Sequence, residues 1–543
     1  MSLAEPRSGN CRPMPSLPVS ALLRVRLLDS GQPLPHGARF KLRTVRVFSL
    51  VIRRRIADNQ VSSPGNGCMR WLVLIHRYLG ISIGILIAAW CLSGIVMMYV
   101  SYPEWSQAER LRGLPLLEFD GCCAPPGAAL ADDSRVQSMQ LEMLGSRPIV
   151  RLQLAAEPLR TIDLIDGTPM TAVSPAQALG VAQGYTEQSN AARFDRTIDF
   201  DQWTVAGVSS AERPLYRFSV NDTAGTELYV SRHSGRLVQA TTARQRFWNW
   251  LGAVPHWLYF AGLRHNVRLW SAVIVWTSLA GCFLTVTGLY LGVQRFLRPG
   301  PGRWSPFRGL LLWHHISGLL AGVFALTWVA SGLVSMNPWG FLESPESDSG
   351  RGTRAAWLSG AQVRDCLRAL QSAPLPAGTV SIESSQFEGR LYPIAATASG
   401  TRFRLDASGH AAPLAAADVA TLASGLSRPG ETAAVALISD EDEYYFTHHR
   451  DVVHLPVYRA VLDDRQHTRY YIDPVAGSVL RRVDANARWY RWLHQGLHRM
   501  DFTPTLRARP LWDALMWVLM SAVAAIGCTG AVLGMRRLLP RTR

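Results

Sequence analysis

The stretch Trp313-His314-His315-Ile316-Ser317-Gly318, with the apolar run that follows it to Met336, decides how this chain is read. From Gly309 to Leu342 there is no Asp, Glu, Lys or Arg, which is long enough to span a bilayer. Two histidines stand near its start. A polar ring at membrane depth is costly without a partner, so it marks a candidate functional site. The same helix occurs earlier, where His76-Arg77-Tyr78-Leu79-Gly80 opens a run to Met98. Laid one on the other, His76 matches His314, Gly80 matches Gly318 and Gly84 matches Gly322. Trp90 then matches Trp328, Ser93-Gly94 matches Ser331-Gly332, and Met98 matches Met336. This is an internal repeat.

At 543 residues the chain has room for several domains. Its net charge of +16 could indicate nucleic acid, but the distribution argues against that. Outside residues 101–513 the acids are Glu5, Asp29 and Asp58, while arginines and lysines cluster beside the apolar runs. That is the positive-inside pattern of a membrane protein, and no nucleic-acid partner is expected. Cys91, Cys282 and Cys528 fall in apolar runs and read as small membrane-helix residues. Cys122-Cys123 and Cys366 fall in polar regions, where an oxidising compartment would permit a disulfide that spacing alone does not specify.

Taken in order, residues 1–68 read as a basic, disordered cytoplasmic tail or an early-assigned start, with no cleavable signal peptide. Spans are expected at 69–100, 269–294, 309–336 and 514–535. The loop 295–308 carries Arg295, Arg298, Arg303 and Arg308 without an acid, and the tail 536–543 begins Arg536-Arg537. Both are therefore expected in the cytoplasm, with both termini inside. Lobes at 101–245 and 337–487 lie on the opposite side, which in a bacterial inner membrane is the periplasm. Their short alternating stretches, such as Thr161 to Gly167 and Tyr470 to Pro474, predict small antiparallel sheets with a helix near Ser174 to Gln183 packed on them.

The lobes echo each other, and the repeat runs on through segments 246–268 and 488–513 into the second span of each unit. His256 matches His498, Thr287-Gly288 matches Thr529-Gly530, and Asp201-Gln202-Trp203 is laid on Glu443-Tyr444-Tyr445. The expected fold is thus an α-helical membrane protein: four spans in two parallel repeats, each with a periplasmic α+β lobe. An even number of spans per unit places a pseudo-two-fold axis along the membrane normal.

Sorted by depth, His76, His314 and His315 stand at the cytoplasmic ends of their helices. His256, His265, His494 and His498 stand on the lobe side, in an aromatic belt with Trp248, Trp250, Trp257, Tyr259, Trp489 and Trp492. Imidazoles on facing helices are what axial ligation of haem iron requires. Gly80 and Gly84 share the face of His76, and Gly318 and Gly322 that of His314, leaving room for a porphyrin edge. The plainer alternative is small-residue helix packing, but the pattern repeats in both units and on both membrane sides.

The expected ligand pairs are His76 with His314 and His256 with His498, holding two haems b. His315 stands as the alternative to His314, and His494 as the alternative to His498. Elsewhere the signals are weak. His448-His449 with His454, and Glu441-Asp442-Glu443, read as solvated loops rather than metal sites, and no nucleotide, flavin or hydrolase fingerprint occurs.

The His76-Arg77-Tyr78-Leu79-Gly80 opening, the far Ser-Gly, the His256-to-Phe260 spacing and the span with Thr287-Gly288 together resemble the PepSY-associated transmembrane family. The likeness covers most of residues 70–540. It implies PepSY-type periplasmic lobes and a haem-containing inner-membrane reductase of ferric-siderophore complexes, fed by a cytoplasmic or quinol electron donor. Two departures are His315 where the first unit has Arg77, and His494 where it has Gly252. The rival readings are a non-enzymatic anchor whose lobes bind a periplasmic protein, and a transporter. The spans lack the acidic residues or broken helices that a transporter would place at mid-membrane.

Overall fold

Four helices, α1 (Pro64–Met97), α2 (Val267–Phe296), α3 (Leu310–Ser335) and α4 (Leu511–Leu538), are long and apolar enough to cross a membrane. The spanning part of α1 is Met69–Met97. In the computed structural model the described residues are 64–119, 130–155, 159–186, 191–297, 305–343, 357–387, 389–406, 408–427, 431–447 and 453–538. Trp71–Arg543 form one compact unit; of the other, Met1–Arg70, only the start of α1 is described. Residues 1–63 of the expected tail, Cys122-Cys123 and His448-His449 lie outside the described residues, whereas residues 64–68, expected in the disordered tail, form the first turns of α1. Large apolar side chains such as Trp276, Leu320 and Val518 remain exposed on the helices, as a lipid-facing surface requires. Inside, Ile87, Ala88, Ala325, Trp328, Val329, Val523 and Ala524 form the bundle core.

The helices approach closely where glycines leave room. A Cβ built on Gly84 would meet Gly527 O of α4 at 3.4 Å, and one on Gly281 would meet Val329 of α3 at 2.9 Å. This is the small-residue packing available to helices in lipid, where apolar burial alone gives no advantage.

Between α1 and α2, and again between α3 and α4, the chain forms β-rich lobes outside the bundle. In the first lobe β5 (Ala192–Ile198), β6 (Leu215–Val220), β7 (Glu227–Ser231) and β8 (Leu237–Thr241) make an antiparallel meander. Helix Pro175–Gly184 seals it with Ala178 and Ala182, and starts in a Ser174/Gln177 capping box. The second lobe has the same arrangement in β13 (Ala433–Ile438), β14 (Val457–Leu462), β15 (Arg469–Ile472) and β16 (Val479–Val483), covered by helix Ala416–Leu426.

The remaining strands do something the sequence does not announce. β1 (Arg135–Leu144), β2 (Arg147–Leu154), β3 (Arg160–Asp163) and β4 (Pro169–Met170) come from the first lobe. β9 (Leu358–Ser359), β10 (Thr379–Phe387), β11 (Arg390–Thr397) and β12 (Arg402–Arg404) come from the second. All join in one eight-stranded sheet through antiparallel pairing of β1 with β10, Leu141 opposite Ile382 and Glu142 opposite Ser381. The two lobes therefore share a core, which includes the buried free thiol of Cys366.

At that seam Glu142 is buried between Arg110 and Arg151, with Arg151 Nη1 at 2.5 Å, and accepts from Ser381 Oγ at 3.0 Å. Burial alone would raise its carboxyl above the usual range, but Arg151, Arg110 and Arg236 more than offset it and hold it below.

Asp201 and Asp442 each close a turn in their own lobe. Asp201 accepts from Trp203 N and Tyr229 OH, while Asp442 accepts from Tyr444 N and Tyr471 OH. Asp442, not Glu443, is thus the counterpart of Asp201, one residue from the sequence match, and it is half-buried rather than freely solvated.

Short helices carry the chain from lobe to bundle. In the first unit Ala243–Leu251 ends at Gly252, whose backbone (φ −104°, ψ −103°) breaks the helix before Ala253–Trp257 resumes. A Cβ on Gly252 would lie 3.1 Å from Val96 Cγ1 and 3.5 Å from Met97 Cγ, and Ala253 beside it is fully buried, so the break sits hard against α1. In the second unit Ala485–Tyr490 runs without a break through a π-helical turn, Arg491–Gly496, into Leu497–Arg499. One histidine of the lobe-side layer stands in each of the two segments that follow, His256 and His498.

Candidate functional site: two histidine pairs across the bundle

His76 on α1 and His314 on α3 meet across the bundle at the end remote from the lobes, their ring centroids 6.5 Å apart. At the lobe end His256 and His498 meet with centroids 6.2 Å apart. Two imidazoles ligating one metal from opposite sides, each nitrogen about 2.0 Å from it, hold their centroids roughly 6 Å apart. Among the described residues no group of three or more His, Cys, Asp or Glu could hold a metal ion. A pair of facing imidazoles could supply the two axial ligands of a metal that brings its own equatorial ligands, as a metalloporphyrin does.

The neighbours of each ring determine its tautomer. His76 Nδ1 lies 3.2 Å from Leu284 O and 3.3 Å from Thr287 Oγ1 on α2. His314 Nδ1 lies 3.0 Å from Thr529 Oγ1 on α4. At the lobe end His256 Nδ1 lies 2.9 Å from Trp90 O and 3.2 Å from Ser93 Oγ, and His498 Nδ1 lies 3.0 Å from Ser331 Oγ. Each hydroxyl already donates to a carbonyl of its own helix: Thr287 to Phe283 O, Thr529 to Ala525 O, Ser93 to Ala89 O and Ser331 to Trp328 O. A carbonyl can only accept, and each ring has one beside it, Leu284 O for His76, Trp90 O for His256, and the Ile526 and Trp328 carbonyls for His314 and His498, so Nδ1–H donates. That leaves the Nε2 lone pair of all four histidines available for a metal, held in orientation by its outer partner.

The residue after each hydroxyl is glycine, and it makes room for the ring. A Cβ on Gly288 would lie 2.6 Å from His76 Cε1, and one on Gly530 3.0 Å from His314 Cε1. At the lobe end the fit is looser, with 3.3 Å from Gly94 to His256 Cε1 and 3.5 Å from Gly332 to His498 Cε1. The dipeptides Thr287-Gly288, Thr529-Gly530, Ser93-Gly94 and Ser331-Gly332 thus each seat one histidine. The sequence flags them as repeat markers but does not reveal this role. The available signal was that each faces a histidine-bearing segment at the same depth.

His315 is buried and differently engaged. Its Nε2–H donates to Gly292 O at 2.9 Å, its Nδ1 pairs with Ser305 Oγ at 3.0 Å, and its ring meets Phe307 edge-on. With both nitrogens occupied it pins the segment before α3 to α2. His494 donates from Nδ1 to Ser331 O at 3.1 Å and lies against His498 and Tyr490, with centroids 5.2 and 5.3 Å away. His265 lies edge-on to Phe200.

Beside the His76–His314 pair is a cavity of about 370 Å³, within the range of small-molecule and cofactor pockets. Gly80, Gly84, Gly318 and Gly322 all line it. Around Gly80 and Gly318 there is open space, whereas a Cβ on Gly322 would press on Leu289 at 2.9 Å. The first two leave room and the second two also serve helix packing. Farther along the bundle, the indole N–H groups of Trp90 and Trp328 are buried without an acceptor among the described residues.

No family model matches this chain, and no curated protein does.

Proposed function

We propose that this chain is a haem-containing reductase of the bacterial inner membrane, carrying electrons across the bilayer to a ferric-siderophore complex at the periplasmic lobes. The observation that carries the reading is the pair of cross-bundle histidine couples, each imidazole turned by a hydroxyl so that Nε2 is free. His76 and His314 would hold one haem b near the cytoplasm, and His256 and His498 a second near the periplasm. When bound, haem supplies one-electron transfer, with the axial ligands and their surroundings setting its potential. Two layers suit a hydrocarbon core about 30 Å thick, which a single centre at one face would leave largely uncrossed.

The protein's own contribution is to bind, orient and insulate. Ser93, Thr287, Ser331 and Thr529 hold the imidazoles in one tautomer, the glycines seat the rings, and the apolar bundle keeps water from the path. The chain is read as two like-oriented units, because the same hydroxyl–imidazole bond recurs at both ends of each. Electrons would enter from a cytoplasmic or quinol donor. A reduced iron leaves the siderophore because Fe(II) holds hard oxygen ligands more weakly than Fe(III).

The test is spectroscopic. Purified full-length protein should show a Soret band and the low-spin signal of bis-imidazole iron, at two haems per chain, and the reduced form should reduce an added ferric hydroxamate. A colourless protein from haem-sufficient cells would sink this reading.

A further inference from the structure

We infer that Arg295 and Arg537 form a carboxylate clamp at the mouth of the cavity beside His76 and His314, receiving the two propionates of a porphyrin bound there. The cavity is apolar and glycine-lined through its body, and its charged lining residues are Arg77, Arg295 and Arg537, with no Asp or Glu beside them. Such a space suits a flat apolar molecule that is acidic along one edge, and it admits that molecule one way round, acids toward the arginines. Among the described residues no ion pair or hydrogen bond engages these three guanidiniums, and the neighbouring stretches 295–308 and 536–543 contain no Asp or Glu.

Arg295 and Arg537 are also a matched pair. Each stands eight residues beyond the threonine that holds a histidine, Thr287 for His76 and Thr529 for His314. Eight residues are about 12 Å along a helix, which places both guanidiniums on the mouth side of the imidazoles rather than beside them. Two cations from opposite helices correspond to two acids on one porphyrin edge, and the planar guanidinium fork fits a carboxylate. Arg77 has no such counterpart, because His315 occupies the matching place.

The inference rests on the haem reading, and its test separates the two. Full-length protein carrying His256→Ala and His498→Ala, which leaves only the far pair, is titrated with haem and with haem dimethyl ester, whose propionates carry no charge. Haem should bind more tightly than the ester, by about tenfold for each arginine engaged. Arg295→Gln with Arg537→Gln should lower haem affinity to that of the ester and leave ester affinity unchanged. The double variant should also lower the reduction potential of the bound haem, through loss of positive charge. Arg536→Gln removes a neighbouring charge that does not line the cavity, and should change neither affinity.

Equal binding of haem and ester by the parent protein overturns the clamp, as does full discrimination in the double variant. Arginines that meet only lipid phosphates would give the first of these results. A parent protein that takes up neither ligand, and so matches its His76→Ala derivative, overturns the haem reading itself.

Discussion

Thr529 Oγ1 lies 3.0 Å from His314 Nδ1 and 2.7 Å from Ala525 O; with its proton on Ala525 O it accepts from the imidazole, whose Nδ1–H also faces the Ile526 carbonyl, and Nε2 then carries the lone pair. Thr529→Val removes that acceptor at nearly constant shape. Haem affinity at the far centre should fall by about 10- to 100-fold, the usual cost of losing an outer partner of a ligating histidine. Thr529→Ser should restore it. The readout is Soret absorbance per chain during titration with haem, and a Thr529→Val protein that binds as tightly as the parent would refute the tautomer argument.

The two unmatched histidines supply a sharper discrimination. His314→Ala should remove about one haem per chain, whereas His315→Ala should retain both haems and lower Tm, because it frees the Ser305 segment from Gly292. His498→Ala should remove the lobe-side haem, whereas His494→Ala should keep it and shift its potential through the lost ring contact. Pyridine haemochrome counts on the four variants decide this. Loss of haem from His315→Ala with retention in His314→Ala would reverse the assignment.

How much of this could be read in advance depends on whether the signal is local. The spans are legible because apolar runs free of charge announce themselves, and the spanning segments lie within three residues of the expected ones at every boundary, although α1 itself begins five residues earlier, at Pro64. That His76 should face His314 follows from the repeat, since matched residues lie at equal depth across the axis. The merged sheet is not legible. Leu141 pairs with Ile382 across most of two lobes, and no turn signal or alternation points to a partner so distant in sequence. Nor is the task of Thr287 or Ser93 legible, since a membrane-helix hydroxyl ordinarily back-bonds to its own helix and only the fold brings a second ring to it. The displacement from Glu443 to Asp442 has the same cause: consecutive acids look alike until the backbone of the turn selects one.

The arginine-only flanks favour the proposed membrane orientation, with the loop between α2 and α3 and the C-terminal tail in the cytoplasm. Reporter fusions after Arg303 and Arg541 should indicate cytoplasm, and fusions near Gly145 and Ser408 should indicate periplasm. A periplasmic signal from the loop between α2 and α3 would overturn the two-unit arrangement.

The seating glycines should respond in order of their clearance. Gly288→Ala would put a methyl 2.6 Å from His76 Cε1, and Gly530→Ala one 3.0 Å from His314 Cε1, so each should displace its ring and reduce haem at the far centre. Gly332→Ala would meet His498 at 3.5 Å, an ordinary van der Waals distance, and should be tolerated. Haem stoichiometry and the low-spin fraction by electron paramagnetic resonance read out the series. Equal sensitivity of Gly288 and Gly332 would show that the glycines act through helix packing and not through the rings.

The seam between the lobes carries its own pH dependence. Glu142 is buried against Arg110 and Arg151, and its carboxyl is held below the usual value of about 4.3. A group whose folded pKa is depressed stabilises the fold above its unfolded pKa, and that contribution disappears as pH falls through the folded value. Glu142→Gln leaves two guanidiniums facing a neutral amide in the interior. At pH 7 it should cost about 3–5 kcal/mol, as removal of one member of a buried ion pair does. The deficit should hold down to about pH 4.3, shrink below it and close once the parent carboxyl is itself protonated. Denaturant unfolding of parent and variant in detergent, followed at several pH values, measures the gap directly. A deficit that stays constant from pH 7 to pH 3 would mean that Glu142 acts through shape and hydrogen bonding rather than through its charge.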